Sequence, residues 1–585
     1  MRRALLTLLA VGLTATAACE DFLTIQPRNI ISRETYFLTE DHMEQAVVNV
    51  YATMRGMFGN NYRLVGDLRG DLTTLQLNIN VPGFTFQIDE FSEATNDGTI
   101  GGQYNSIFNT IFDANVVLSR IDAIEFTDPA RKDQLKAETL FARSLAYWMG
   151  LQLWGLNESW EPNNLAVPFV LHELLDPNEA FEIERATVKE VFDQIVSDLT
   201  FAKQHLPTRA ELPSGQAGRF TRGAAAFLLG ATYQLDPSAA SQQAALAQFE
   251  ELESHGYALI TSGTAASENN AFREVFNPSN KNNSESILEL QFNVASDVGA
   301  LRQNLVGGMS PLNSLGGGGG SGNAERISKF GSAGSGGYMP TQFHILSFAG
   351  ANPDAAAEPF DLRYEGGYGQ FCPDSGLSGR LGDVKDEYRT QGDITLRNVN
   401  PAYPELNIEA VRDPVNRTVR EDCIPYYAKW RWPDHMPQSG RDNNNWIVFR
   451  YADALLRRAE SHWRLNQAPQ ALALVNEVRA RAGLPDLVGL TGDDLRDAIL
   501  QERAWELAGE GHRWMDLKRF GQAVAIIAGP HADDRFERVS RTPPAAYMKQ
   551  GATYRLRFPI RPQDVQLSQC RILQNPGWSS ECVGT

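Results

Sequence analysis

Three stretches near the start of the chain, Asp41 to Met57, Gln103 to Ile124 and Ala130 to Trp154, repeat apolar residues at helical spacing. The third is the clearest: Leu135, Thr139, Ala142, Ala146, Met149 and Leu153 advance by threes and fours and line one helix face. A second set follows, with Val188, Phe192, Ile195, Leu199 and Ala202 on one face. Ala225, Leu228, Thr232 and Leu235 come next, behind a Thr221 cap, and Ala244 to His255 closes the set. The pattern then breaks into short apolar runs such as Ile287 to Phe292, set among Gly, Asn, Pro and Ser, which predicts loops and short strands. Gly316 to Gly322 and Gly331 to Gly337 carry too few side chains to specify one path and read as linkers. No Lys-Ser or Lys-Thr follows either run, as a phosphate-cradling loop would require. Helical spacing returns at Trp446 through Phe449, Ala452, Leu456, Ala459 and Trp463. It continues through Ala471, Val475, Val478 and Ala482 to a stop at Gly483, and a third helix is predicted from Asp493 to about Gly509. Arg555 to Ile560 reads as a short strand before a Pro-containing tail. The pattern predicts a mainly α fold of irregular tetratricopeptide-like helix pairs, with a loop-rich insertion and a few short strands.

The first residues follow a different plan. Met1, Arg2 and Arg3 precede an apolar run from Ala4 to Leu13, then the small residues Thr16, Ala17 and Ala18, then Cys19. This is the layout of a signal peptide over residues 1–18. The run is shorter than the roughly 20 apolar residues a bilayer-spanning helix needs. A Cys directly after a small-residue cleavage site resembles a bacterial lipobox, so Cys19 is the candidate lipidation site and membrane anchor; ordinary cleavage beside an unmodified Cys19 fits the same letters. Over 585 residues, 42% are hydrophobic and the formal charge is -18, which argues against nucleic acid as a partner because phosphate would be repelled over most of the surface. With Cys19 lipidated, Cys372, Cys423, Cys570 and Cys582 remain, an even number suited to an oxidising compartment. Cys570 with Cys582 flanks a turn-rich stretch and forms one candidate bridge, leaving Cys372 with Cys423. No CxxC or nearby His pair supports zinc, and neither a metal nor a cofactor is expected.

Several stretches together resemble the SusD/RagB family of surface lipoproteins. CEDFLTIQP (Cys19 to Pro27) is similar to the family's start, and it is followed by a family-like helix from Asp41 to Gly56. The fuller match is FRYADALLRRAESHWRLN (Phe449 to Asn466), then ALALVNEVRARAGL (Ala471 to Leu484), then ILQERAWELAGEGHRWMDLKRFG (Ile499 to Gly521), in the family's order and spacing; Tyr554 to Trp578 resembles its C-terminus. Asn60 to Gly102 and Asn277 to Asn445 carry no such match. The resemblance implies one binding unit over residues 19–585, with a helical part at about 20–275, a loop-rich insertion at 276–445 and a helical part at 446–585. It also implies a protein lipid-anchored to the outer membrane, facing the cell exterior, that binds a glycan or oligosaccharide without breaking a bond and passes it to a TonB-dependent barrel transporter. A peptide ligand is the alternative the family allows. Within the matched helices, Arg450, Glu460, Arg479, Arg481, Glu502, Arg503, Glu506, Glu510, Arg513 and Asp516 read as a charged lattice between packed helices.

A surface hydrolase is the competing class. Glycoside hydrolysis needs two carboxylates about 5 to 9 Å apart across a sugar site, and 71 Asp plus Glu single out no pair. No HExxH, GxSxG or SxxK signature appears in its required context, so no catalytic residue is assigned and the protein is read as a non-enzyme. A glycan site should set aromatic rings beside Asn, Asp, Arg or Gln on loops. Two regions have that composition: Phe84, Phe86, Phe91, Asn96 and Asp97 in one, and Phe292, Tyr338, Gln342, Trp430 and Trp432 in the other. Each of these aromatics also suits core packing.

Overall fold

The protein is described from a computed structural model. It covers residues 37–59, 62, 64–75, 87–267, 269–292, 338–341, 344, 347–348, 361–372, 377–380, 424–427, 429–430, 444–528, 552–580 and 582. The fold is mainly α, as the periodicity predicts. In the N-terminal half the helices are α1 (Glu40–Gly56), α2 (Gly98–Arg120), α3 (Pro129–Gly150), α4 (Val188–His205), α5 (Arg222–Tyr233) and α6 (Ala239–Ser254). Each packs its apolar stripe on the next, and α6 packs on α7 (Tyr451–Arg464), which begins the C-terminal set of α8 (Ala468–Arg481), α9 (Gly492–Leu507) and α10 (Arg513–Arg519). Both halves therefore contribute to one continuous core.

Local chemistry fixes most of the starts. The Thr221 side chain accepts from Ala224 N–H at the head of α5, as expected, and a capping box between Thr187 and Glu190 opens α4. The second helix begins at Gly98, five residues before the apolar pattern suggests, because Asp97 accepts from the N–H groups of Thr99 and Ile100. Helix α3 carries Pro129 in its first turn and ends in a π-helical turn, Leu151–Gly155. Gly483 closes α8 with φ of 76°.

The described strands form small antiparallel ladders. Strands β1 (Thr73–Leu75) and β5 (Tyr338–Pro340) pair, as do β2 (Leu165–Pro168) with β3 (Arg185–Thr187) and β4 (Ser286–Leu290) with β9 (Trp446–Arg450); β6 (Tyr368–Cys372) lies between β7 (Leu377–Arg380) and β8 (Ile424–Tyr427). Two sequence expectations change here. Trp446 to Arg450 is a strand and α7 starts only at Tyr451, because this fully buried run finds a partner strand in Ser286–Leu290, and a short apolar run fits buried strand and buried helix equally. Arg555 to Ile560 is not a strand: Thr553–Leu556 is a 3-10 turn, Phe558 N–H goes to Leu153 O at 3.0 Å, and Ile560 N–H goes to the Gln574 side chain at 2.7 Å. Cys570 and Cys582 are bonded across the turn between them, with Cα atoms 5.4 Å apart.

The charged lattice lies beneath the C-terminal helices and draws in Glu285, Asp361 and Arg363 from the middle of the chain. Arg450 meets Glu285, Glu506 and Glu510; Arg481 meets Glu285 and Glu506; Arg363 meets Asp361, Glu502 and Glu506. Arg503 joins Asp453 to Asp516, and Arg479 holds Glu502. These pairs are sealed from solvent, so every charge depends on its partners for the solvation it lost.

Candidate ligand-binding surface

The two-stranded ladder of β1 and β5 joins two distant parts of the chain. Thr73 faces Pro340 and Leu75 faces Tyr338, so the chain leaves the ladder toward residue 76 and returns from residue 337 at one edge. Side chains secure this root. Thr73 Oγ1 and Tyr427 Oη are 2.8 Å apart, Tyr427 Oη also donates to Leu72 O, and Thr341 binds Leu72 O and Asp71 O through its N–H and hydroxyl. Thr74 Oγ1 donates to Asp89 at 3.0 Å, which ties residues 87–91 to the same place.

A second knot holds the neighbouring chain ends. Phe292 N–H donates to Asn445 Oδ1 at 2.8 Å, Asn445 Nδ2 donates to Gln291 at 2.8 Å, and Asn444 Nδ2 donates to Trp430 O. Tyr427 and Trp430 are three residues apart, so the two knots are contiguous. Together they gather the ends of three sequence segments: 76–86, 293–337 and 431–443. No motif marks Thr73, Asp89, Tyr427, Asn444 or Asn445, and only their pairing across 14 to 354 residues reveals them.

The candidate contacts separate on this frame. Phe91 is fully buried with φ of 55°, its ring edge-on to Trp514 at 5.6 Å and under the Arg69 guanidinium at 4.2 Å. Trp430 is 2% exposed, stacked on Trp446 at 5.0 Å and edge-on to Phe276 at 5.6 Å, with the Lys429 ammonium 4.8 Å from its centroid. Both rings are core residues rather than open platforms, because neighbouring rings and cations already cover them. Asp97 is likewise spent on the α2 cap; burial raises its pKa while the two N–H groups pull it down. Asn96 is exposed beside that cap, and Phe292 is half-buried with the Arg55 guanidinium 5.8 Å over its ring. Tyr338 sits at the last rung of the β1–β5 ladder. Phe84, Phe86, Gln342 and Trp432 lie outside the described residues, as do Cys19 and Cys423.

The buried ionisable groups beneath this surface are committed to structure. Burial lowers the Lys429 pKa while Glu510, 2.6 Å away, opposes the shift. His344 is pushed down to about 3 by burial and shares a 2.6 Å hydrogen bond with Tyr368 Oη, so it is neutral at ordinary pH. Burial would raise Glu506 and Glu510, but the arginines around them outweigh it and hold both below the usual carboxylate range. A carboxylate so held is a poor proton donor or acceptor near neutrality. Among the described residues no group of three or more His, Cys, Asp or Glu could hold a metal ion, and no described helix is long and apolar enough to cross a membrane.

Comparison with known proteins adds to this geometry. Residues 284–578 match the model of the SusD family, and residues 21–233 match a model described as starch-binding associating with outer membrane. The chain is 27% identical over 527 residues to SusD-like protein P25 of Formosa agariphila, covering 87% of this chain and 88% of that protein. Its fold is similar to that of a laminarin-binding SusD-like protein (TM-score 0.63, 22% identity, 92% of this chain and 100% of the other). It is also similar to surface glycan-binding protein A from Bacteroides thetaiotaomicron (TM-score 0.64, 18% identity, 93% and 100%).

Proposed function

The chain belongs to the SusD family, and from that premise we infer that it captures a glycan or oligosaccharide non-covalently and hands it to a TonB-dependent barrel transporter. The observation that carries this reading is that ladder β1–β5 and the Asn444–Asn445 knot tie together described residues bordering segments 76–86, 293–337 and 431–443. A ligand surface assembled from loops on a fixed scaffold can vary its specificity without disturbing the core. The segments include Phe84, Phe86 and Trp432, ring types that stack on sugar C–H faces, and Asn96, Phe292 and Tyr338 stand at or near their roots. The reading needs neither cofactor nor catalytic residue. Lipid on Cys19 would hold the protein to the outer membrane on the exterior side, where polymers arrive; the laminarin-binding and surface glycan-binding neighbours support a glycan as ligand.

The test is a binding screen of the full chain against polysaccharides, oligosaccharides and peptides, followed by calorimetry on any hit. A polysaccharide hit lost in Phe84→Ala, Phe86→Ala or Trp432→Ala supports the reading. Peptide binding alone moves the protein to peptide uptake, and hydrolysis of a bound polymer that disappears on carboxylate substitution makes it an enzyme. Labelling with a radioactive fatty acid, present in the native chain and absent from Cys19→Ser, checks the anchor; co-purification of a barrel transporter checks delivery.

A further inference from the structure

Positive charge is scarce on this chain, whose formal charge is -18, and arginines near α1 are consumed in ion pairs. Arg120 meets Glu173, Arg131 meets Glu44, and Arg219 meets Glu44 and Glu138. Arg55, in the last turn of α1, differs. Its half-buried side chain has neither an ion pair nor a hydrogen bond among the described residues, and its guanidinium lies 5.8 Å over the Phe292 ring. Burial lowers its pKa, and no described carboxylate opposes that shift. A cation in the last turn of a helix complements the dipole by roughly 0.3–1 kcal/mol. That accounts for the charge but leaves the guanidinium N–H donors unused.

The ring beneath the guanidinium is held in place. Phe292 N–H donates to Asn445 Oδ1 at 2.8 Å, and the Phe292 carbonyl accepts from Lys281 Nζ at 2.9 Å. A guanidinium resting on a held ring gives its face to the ring and keeps its in-plane N–H edges open. The acid beside it in β4, Glu289, is 8% exposed, accepts from Asn282 N–H at 2.8 Å, and has its pKa raised by burial. The half-buried groups around Phe292 are Arg55, Lys281 and the side chains of Asn282 and Gln291, whose amides pair with each other at 2.8 and 3.1 Å. They make a positive spot on an acidic protein, at the border of segments 293–337 and 431–443.

We propose that Arg55, set on Phe292, is a specificity-determining residue that takes the anionic substituent of an acidic glycan, a carboxylate or a sulfate ester, by bidentate hydrogen bonding. The inference rests on the glycan-binding reading above and narrows its substrate class. Either oxyanion presents two oxygens to the guanidinium fork, whereas a sugar hydroxyl presents one. Over most of this surface an acidic polymer is repelled, so a local cation with open donors decides whether it binds.

The test uses the full chain with polygalacturonate, dextran sulfate and laminarin as carboxylated, sulfated and neutral probes, read by affinity electrophoresis and titration calorimetry at low and high salt. At least one acidic polymer binds, about tenfold or more tighter than laminarin, and which of the two binds separates carboxylate from sulfate. Arg55→Gln weakens that binding by about tenfold or more and flattens its salt dependence; Arg55→Lys, which keeps the charge and loses the fork, restores part of it. The urea midpoint of Arg55→Gln stays near wild type, since no described ion pair is broken, which separates lost binding from lost fold. Acidic-polymer binding that is unchanged in Arg55→Gln, or binding of laminarin alone, overturns the inference and leaves the glycan reading in place. Binding of none of the polysaccharides removes both.

Discussion

Arg450→Met tests how the two halves of the molecule are held together. Arg450 is the last residue of β9, fully buried, and all five of its N–H groups are used: Nε on Glu510, Nη1 on Glu285 and Glu506, and Nη2 on Glu510 and the Glu506 carbonyl. Methionine keeps most of the volume but strands three carboxylates. None is left wholly alone, since Arg481 still reaches Glu285 and Glu506, Arg363 reaches Glu506, and Lys429 reaches Glu510. The loss therefore sits near that of breaking one buried ion pair, about 3–5 kcal/mol, rather than three times that. Against a typical total of roughly 5–15 kcal/mol this is a large fraction. Arg450→Lys keeps the charge but offers three donors in place of a planar fork, and falls between wild type and Arg450→Met. Equilibrium urea unfolding followed by tryptophan fluorescence measures both, with the slope compared to confirm that the same surface unfolds. A value for Arg450→Met within about 1 kcal/mol of wild type would refute the reasoning, because it would mean the buried charges are solvated or protonated and the network contributes little.

Acid should weaken the same network. Asp516 is held down to about 2 by Arg503 and Arg519 against the opposing effect of burial, from an ordinary value of 3.8. A folded value below the unfolded one adds stability above pH 3.8 that is lost as pH falls toward 2; the difference in urea midpoint between wild type and Asp516→Asn should be constant above about pH 4 and shrink below it, whereas a difference that holds to pH 2 contradicts the assignment. Gly511→Ala should cost about 2–5 kcal/mol by the same assay, because Gly511 has φ of 86° and an added Cβ would come within 2.3 Å of the Tyr62 ring; a neutral effect would show that the contact is not kept in solution. Finally, alkylation of the unreduced chain followed by intact mass should find no free thiol among the last four cysteines. Cys570 and Cys582 are bonded, which leaves Cys372 and Cys423 as the second candidate pair. Two alkylated thiols would remove the second bridge.

The helical scaffold was legible because each long helix carries its own record: an apolar stripe at 3.6-residue spacing with a capping residue before it, as with Thr221 and α5. The family resemblance was legible for a related reason, since Phe449 to Gly521 packs the α7–α10 core and its charged lattice, where few residue types fit. What a single segment cannot record is its partner. Trp446 to Arg450 looks helical until Ser286–Leu290 pairs with it from about 160 residues away. The head of α2 was hidden by GTIGG, whose small residues lack a stripe, and Asp97 alone marks the start. Phe91 and Trp430 have the composition of ligand platforms, yet Arg69 and Trp514 close over one, and Trp446, Phe276 and Lys429 over the other. Sequence thus determined the local preferences, the charge and the kind of scaffold. Only the tertiary structure decided which aromatics are covered and which distant segments pair, because exposure and pairing depend on residues that the chain brings together from far apart.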